Sequence, residues 1–220
     1  MLAHELINNN IVPLRTSDTG MLALSLMEEY KTTHLPIVHS GIFYGLISEA
    51  DIYSYNQFEE AIGAHPITNS NISANSDQHI YEVLEIIHKN KLSLVPVVDE
   101  KDHFLGCIIV GELPALLAKI MGIINPGGIV VLEMNVHDYS MSEIAQIVET
   151  NNRKILNSFV NTFNDSTKIE VTLKLNTADL EAVIQTFLRY DYQIKATYTE
   201  ADLNDNLSDR YDSLMNYLNI

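Results

Sequence analysis

Two stretches of this chain carry the same pattern sixty residues apart. Leu35-Pro36-Ile37-Val38 is answered by Val95-Pro96-Val97-Val98, an offset of 60. At that offset Ala23, Leu24, Leu26 and Met27 fall on Val83, Leu84, Ile86 and Ile87, Lys31 on Lys91, and Thr33 on Ser93. One residue of slip then sets Tyr44-Gly45-Leu46-Ile47 on Leu105-Gly106-Cys107-Ile108, and the slip falls in turns, where insertions are tolerated. A repeat of this length is one supersecondary unit. Alone it exposes an apolar sheet face, and two copies packed together bury it.

Both copies read alike. A helix comes first, Thr19 to Tyr30 and then Gln78 to Asn90, with apolar residues recurring every three or four positions. Ser17 or Asp18 is expected to cap the first helix and Ser76 or Asp77 the second. A short apolar strand, a turn and a second strand follow, the second strands being Phe43 to Ser48 and Phe104 to Val110. A closing helix starts near Glu49 and near Glu112, where Pro114 suits a first helical turn.

Charge narrows the partners. Lys plus Arg number 13 and Asp plus Glu 29, and 13 − 29 = −16. So acidic a surface repels phosphate backbones and anionic lipid, so neither nucleic acid nor membrane is expected as a partner. The single cysteine, Cys107, lies in an apolar run and reads as a buried structural thiol, in keeping with a reducing cytoplasm. Met1 to Asn10 lacks the basic start and apolar run of a signal peptide. The apolar stretch from Leu113 to Met134 is broken by Lys119 and by Asn125-Pro126-Gly127-Gly128, which argues against a membrane span. No glycine-rich phosphate loop, cysteine pair, His-Glu-x-x-His or Gly-x-Ser-x-Gly is present, and the eight histidines are scattered. Neither a catalytic residue nor a metal ligand is expected.

With both repeats on the page, the first 122 residues resemble the CBS family, whose hallmark is a Pro-Val-Val strand, a turn, then Gly-x-x-Thr/Ser-x-x-Asp. The first repeat has Pro36-Ile37-Val38 and Gly45-Leu46-Ile47-Ser48-Glu49-Ala50-Asp51, a full match. The second has Pro96-Val97-Val98 and Gly106 to Glu112, with Ile109 in place of the hydroxyl residue and Glu112 in place of the aspartate. The resemblance implies a disc-like pair with two clefts that take adenosine-containing ligands: AMP, ADP, ATP, S-adenosylmethionine or NAD. It implies that Asp51 accepts the ribose hydroxyls, a charge-assisted contact, and that Ser48 and His34 meet a phosphate or equivalent group. Ile11, Val12 and Ile37 are expected to wall the base. Glu112 and Val97 mark a weaker second site.

After Asn125 to Gly128 the pattern changes. Ile129 to Val136 reads as a strand, followed by a helix begun by Ser140 or Ser142 and a strand from Lys154 to Phe163. A turn at Asn164-Asp165-Ser166 leads to an alternating strand from Lys168 to Leu175, a helix from Thr177 to Tyr190 capped by Asn176 or Thr177, and a last strand from Gln193 to Tyr198. The order βαββαβ is a ferredoxin-like split unit. Following a CBS pair, it resembles the ACT family, and the two together resemble the acetoin-utilisation type of CBS–ACT protein. The ACT family binds amino acids at a loop of acidic residue, x, Pro, Gly. Here His137-Asp138-Tyr139-Ser140-Met141 keeps Asp138, with Ser140 and Met141 where Pro and Gly would stand.

The expected architecture is α/β (α+β): a CBS-domain pair over 1–122 (repeats about 1–62 and 63–122), a linker over 123–128, an ACT-like domain over 129–198 and an amphipathic helix over 199–220. The expected function is regulatory, without enzymatic activity: a cytoplasmic homodimer that senses an adenosyl ligand. Two alternatives stand beside it. One is a homodimeric scaffold that binds a protein partner and no small molecule. The other is amino-acid sensing by the ACT-like domain.

Overall fold

The computed structural model describes residues 1–67, 69, 71–163 and 167–199. The turn at Asn164-Asp165-Ser166 and the C-terminal amphipathic segment beyond Thr199 lie outside the described residues. The chain divides into two compact units, Met1–Pro114 and Ala115–Ile220.

The first unit holds both repeats. In the first, helix α1 (Gly20–Tyr30) leads to an antiparallel pair, β1 (His34–His39) and β2 (Ile42–Ser48), and then α2 (Glu49–Tyr55). In the second, β3 (Ala74–Asn75) precedes α3 (Ile80–Asn90), β4 (Leu94–Val98), β5 (Phe104–Ile109) and α4 (Leu113–Ile120), the last crossing into the second unit. β3 runs parallel to β4, and the lone bridge of Leu14 to Ile37 is its counterpart in the first repeat.

The helix caps correct the sequence reading. Thr19, not Ser17 or Asp18, caps α1, accepting from the Leu22 N–H at 3.3 Å, while the Asp18 carboxylate accepts from the N–H of Arg15. The ring of His79, not Ser76 or Asp77, caps α3, and Glu82 reaches back to the His79 N–H at 2.9 Å. Hydroxyl and carboxylate side chains just before a helix compete for local turns, so the residue type alone does not fix which one becomes the cap.

The repeats interlock. The segment ahead of repeat 1 runs along repeat 2: Ala3 N–H donates to Gln78, Asn8 N–H to Cys107, and Cys107 N–H returns to Asn8. The segment ahead of repeat 2 runs along repeat 1: Ile62 N–H donates to Asp18 and Leu46 N–H to Asn69. Between the two hairpins Phe43 N–H donates to Asp102 and Phe104 N–H to Gly41, both at 2.9 Å, a reciprocal pair that marks a local pseudo-twofold. Leu35, Ile37, Leu46, Leu94, Val97 and Cys107 form the buried centre.

The second unit is a four-stranded antiparallel sheet in the order β7-β8-β6-β9, from β6 (Ile129–Asn135), β7 (Ile155–Thr162), β8 (Lys168–Leu175) and β9 (Gln193–Tyr198). Helices α5 (Met141–Thr150) and α6 (Glu181–Arg189) complete the βαββαβ order. Ile169, Val171, Leu173 and Leu175 alternate inward along β8 and meet Ile144, Ile147, Val183 and Phe187 from the helices. α6 starts four residues later than its apolar periodicity suggests. Thr177 accepts from the Asp179 N–H in a local turn and Asn176 accepts from Lys154, so neither caps the helix. Gly127 and Gly128 are buried; Gly128 N–H donates to Thr177, and a Cβ on Gly127 would stand 1.9 Å from the Leu175 carbonyl.

Candidate functional site

Strand register brings the motif residues of the first repeat together. β1 and β2 pair so that His34 faces Ser48 directly, and Ser48 is at once the end of β2 and the N-cap of α2. Its hydroxyl accepts the Asp51 N–H at 3.1 Å, and the Asp51 carboxylate accepts both the Ser48 N–H (2.9 Å) and the Ser48 hydroxyl (2.6 Å). This reciprocal capping box satisfies the first turn of α2 and places a carboxylate where the helix dipole favours one. All three side chains are half-buried.

His34 ties this group to the second repeat. Its Nδ1 lies 3.0 Å from the Ser93 hydroxyl and 3.1 Å from that of Thr33, and Ser93 Oγ also lies 2.6 Å from the Thr32 hydroxyl and accepts the Thr33 N–H. Burial pushes the His34 imidazolium below its ordinary range, opposed by the neighbouring Asp51 carboxylate. One turn along α2, Tyr55 is held above its ordinary range by burial and then by Asp51; its hydroxyl donates to Pro66, and its ring stacks on His65 at 4.2 Å. The arrangement offers a carboxylate, a hydroxyl and a mainly neutral imidazole, with no lysine or arginine among these residues.

The expected base walls fall elsewhere. Ile37 is 0% exposed and Ile11 4%, so neither has surface to offer a ligand. Val12 is 57% exposed but lines a separate cavity with Val38 and His39. The reason is strand pairing: Leu14 lies along β1, exchanging hydrogen bonds with Pro36 and Val38, while the segment passing beside β2 is the one that contains Ile67 and Asn69. Sequence reasoning missed Ser93, Asn69 and Tyr55. The sixty-residue offset that sets Thr33 on Ser93 was the available signal for the first.

At the second cleft Val97 is fully buried and supports the sheet. Glu112 accepts a hydrogen bond from the Asn8 side-chain amide at 2.8 Å, and Asn8 Oδ1 accepts the Asn10 N–H. The motif carboxylate of the second repeat is therefore engaged by the chain's own N-terminal segment. Beside it, burial pushes the Cys107 thiol up to about 12, which keeps it protonated and unreactive.

In the second unit Asp138 accepts from the Asn135 amide at 2.9 Å, and it lines a cavity of about 400 Å³ with Glu133, Glu143, Lys168, Asp191 and Tyr192. Ser140 is not among those lining residues; it caps α5, accepting the Glu143 N–H. Four carboxylates face one lysine there. Among the described residues no cluster of three or more His, Cys, Asp or Glu is placed to hold a metal ion, and no helix is long and apolar enough to cross a membrane.

Two interlocked strand–helix repeats, each ending in a hydroxyl-and-carboxylate motif or its relic, define a paired cleft module. The N-terminal unit is a tandem pair of CBS domains: the CBS family model matches residues 3–57 and 64–113. The chain is similar to inosine-5'-monophosphate dehydrogenase of Methanocaldococcus jannaschii, 23% identical over 112 residues, which are 50% of this chain and 22% of the dehydrogenase. It is also similar to the CBS domain-containing protein YhcV of Bacillus subtilis, 19% identical over 111 residues, 49% of this chain and 79% of that protein. The chain thus spans about a fifth of the first relative's length. Among solved structures, a CBS domain pair/ACT domain protein of Thermotoga maritima aligns with a TM-score of 0.49 at 18% identity, covering 55% of this chain and 99% of that one.

Proposed function

We propose that this protein is a regulatory, non-catalytic cytoplasmic homodimer whose first CBS cleft, His34, Ser48 and Asp51, binds one adenosine-containing ligand. One observation carries the reading. His34 borders the Ser48–Asp51 motif and is also bonded to Ser93 of the other repeat, so a ligand that engages the motif alters the contact between repeats. A ligand shifts a conformational equilibrium only through its differential affinity for the two states, and His34 supplies a place for that difference. With one carboxylate and no permanent cation in this group, ligands of low negative charge (S-adenosylmethionine, adenosine, AMP) are favoured over ATP. Exposed Met21 and Leu22 on α1, Tyr53 on α2 and Tyr81 on α3 support burial against a second copy.

The test is a thermal-shift titration with AMP, ADP, ATP, S-adenosylmethionine and NAD. A ligand specific to the folded state raises the melting temperature with concentration. A shift that disappears in Asp51→Ala supports the reading, and a flat panel overturns it.

A second reading has its own support. Engagement of Glu112 by Asn8 leaves the second cleft without a free motif carboxylate, which favours a homodimeric scaffold that recruits a protein partner. The βαββαβ second unit supports an ACT-like assignment, but not the capture of an amino-acid carboxylate. Ser140 takes the helix N–H that such a carboxylate would need, and the cavity beside Asp138 is acidic.

A further inference from the structure

One cavity of the first unit lies away from the Ser48–Asp51 motif. It has a volume of about 680 Å³ and is bounded by the loop from Val12 to Ser17 and by the β1–β2 turn, Val38 to Gly41. His34 and His39 stand at opposite ends of β1, roughly 16 Å apart at about 3.3 Å per residue. The lining therefore shares no residue with the motif site.

Its chemistry is one-sided. Arg15, Thr16, Ser17, His39 and Ser40 line it, and no carboxylate does, in a chain with 29 acidic residues. Among the described residues, none of these five side chains has a hydrogen-bond or ion-pair partner within the protein. Arg15 is the one arginine between residues 1 and 114. The nearest acid in the sequence, Asp18, has its carboxylate bound to the Arg15 main-chain N–H at 2.7 Å and is not part of the lining. Val12, Pro13 and Val38 give the cavity an apolar wall.

We propose that this cavity is an oxyanion site, distinct from the motif cleft, which takes the phosphoryl group of a small phosphate ester with its organic part against Val12, Pro13 and Val38. A guanidinium and hydroxyl donors complement phosphate oxygens, and arginine binds them in a fixed fork. Asp18, the near carboxylate, is engaged by the Arg15 main chain and lies outside the lining, and exposed charges farther than about 8 Å are screened at physiological ionic strength.

The test is a titration of the full chain, at constant ionic strength set with chloride, with inorganic phosphate and with phenyl phosphate, followed by amide NMR shifts. Saturating shifts centred on Thr16, Ser17, Ser40 and Gly41 are expected. The ester should bind at least threefold more tightly than inorganic phosphate, and Arg15→Gln should weaken both by tenfold or more. His39→Gln, on the other side of the cavity, is expected to weaken both by a smaller factor. Shifts that never saturate, that persist unchanged in Arg15→Gln, or that centre on Ser48 and Asp51 would each overturn the proposal. Equal affinity for the two probes would remove the apolar wall from it. Inorganic phosphate and phenyl phosphate carry no adenosine and S-adenosylmethionine carries no phosphoryl group, so these probes judge the two sites separately.

Discussion

The side-chain amide of Asn8 donates to the carboxylate of Glu112 at 2.8 Å, joining residues 104 apart in sequence. Glu112 stands where the family motif has aspartate, and its extra methylene extends its reach to a partner within the chain. The two motif sites of the pair are therefore unequal, and calorimetry with S-adenosylmethionine, which has no phosphoryl group to offer the oxyanion cavity, should saturate at one ligand per chain. Two equivalents would show that Asn8 does not hold the second cleft. Because the pair is exposed, a double-mutant cycle of Asn8→Ala with Glu112→Ala should give a coupling of about 0.5–1 kcal/mol.

Asp51 serves the fold before it serves any ligand. Replacing it with alanine removes half of a reciprocal cap, and cap deletions cost about 1 kcal/mol. The variant should therefore melt a few degrees lower in the absence of ligand and give no further shift with S-adenosylmethionine, the panel member without a phosphoryl group. Ser48→Ala removes the other half of the cap and leaves the carboxylate in place. It should show a similar loss of stability with a partial ligand response. Equal ligand responses in wild type and Asp51→Ala would remove Asp51 from the site.

His34 makes the first unit sensitive to acid. Its folded-state proton affinity lies below the ordinary value, which for histidine is about 6.5. Between that value and the lower folded one the unfolded chain binds the proton and the native chain does not, so stability rises with pH there. The contribution is fully present above about pH 6.5 and is lost progressively as pH falls through that window. Urea titrations at pH 7.5 and pH 5.5 should show a smaller difference in His34→Gln than in wild type. An unchanged difference would assign the acid sensitivity to other groups.

In the second unit, the Asn125–Gly128 segment is built into the fold. A Cβ at Gly127 would collide with the Leu175 carbonyl, and φ there is +151°. Gly127→Ala should therefore destabilise the unit by at least the roughly 2–5 kcal/mol expected of a large core deletion. Leu173→Ala, a fully buried truncation, provides the comparison. Amide exchange of β8 should accelerate in both variants, whereas protection in Gly127→Ala equal to wild type would mean that the backbone relaxes around the methyl group.

Legibility in the sequence followed periodicity. β8 and β9 were placed at their observed ends because alternation of apolar residues is a strong signal on a sheet with one covered face. The repeat offset located β1, β2, β4, β5 and the helices between them. What failed was what depends on long-range packing. Ile11 and Val12 are expected to wall the base, but Leu14 pairs along β1, Ile11 is buried and Val12 turns to the cavity beside Val38 and His39. Ile37 is expected to wall the base and Val97 to mark the weaker second site, yet each is at the centre of the core. No local pattern separates a cleft-facing strand residue from a core-facing one when both faces of the hairpin are apolar.

The exchange of leading segments between the repeats has a consequence for dissection. Cut near residue 58, the first half would lack the stretch that pairs with Leu46, and the second would lack the stretch that pairs with Cys107. Neither fragment would be a domain. Mixed together, the two would complement each other as a split protein does, each completing the other's sheet edge, so the smallest autonomous piece of this region is the pair.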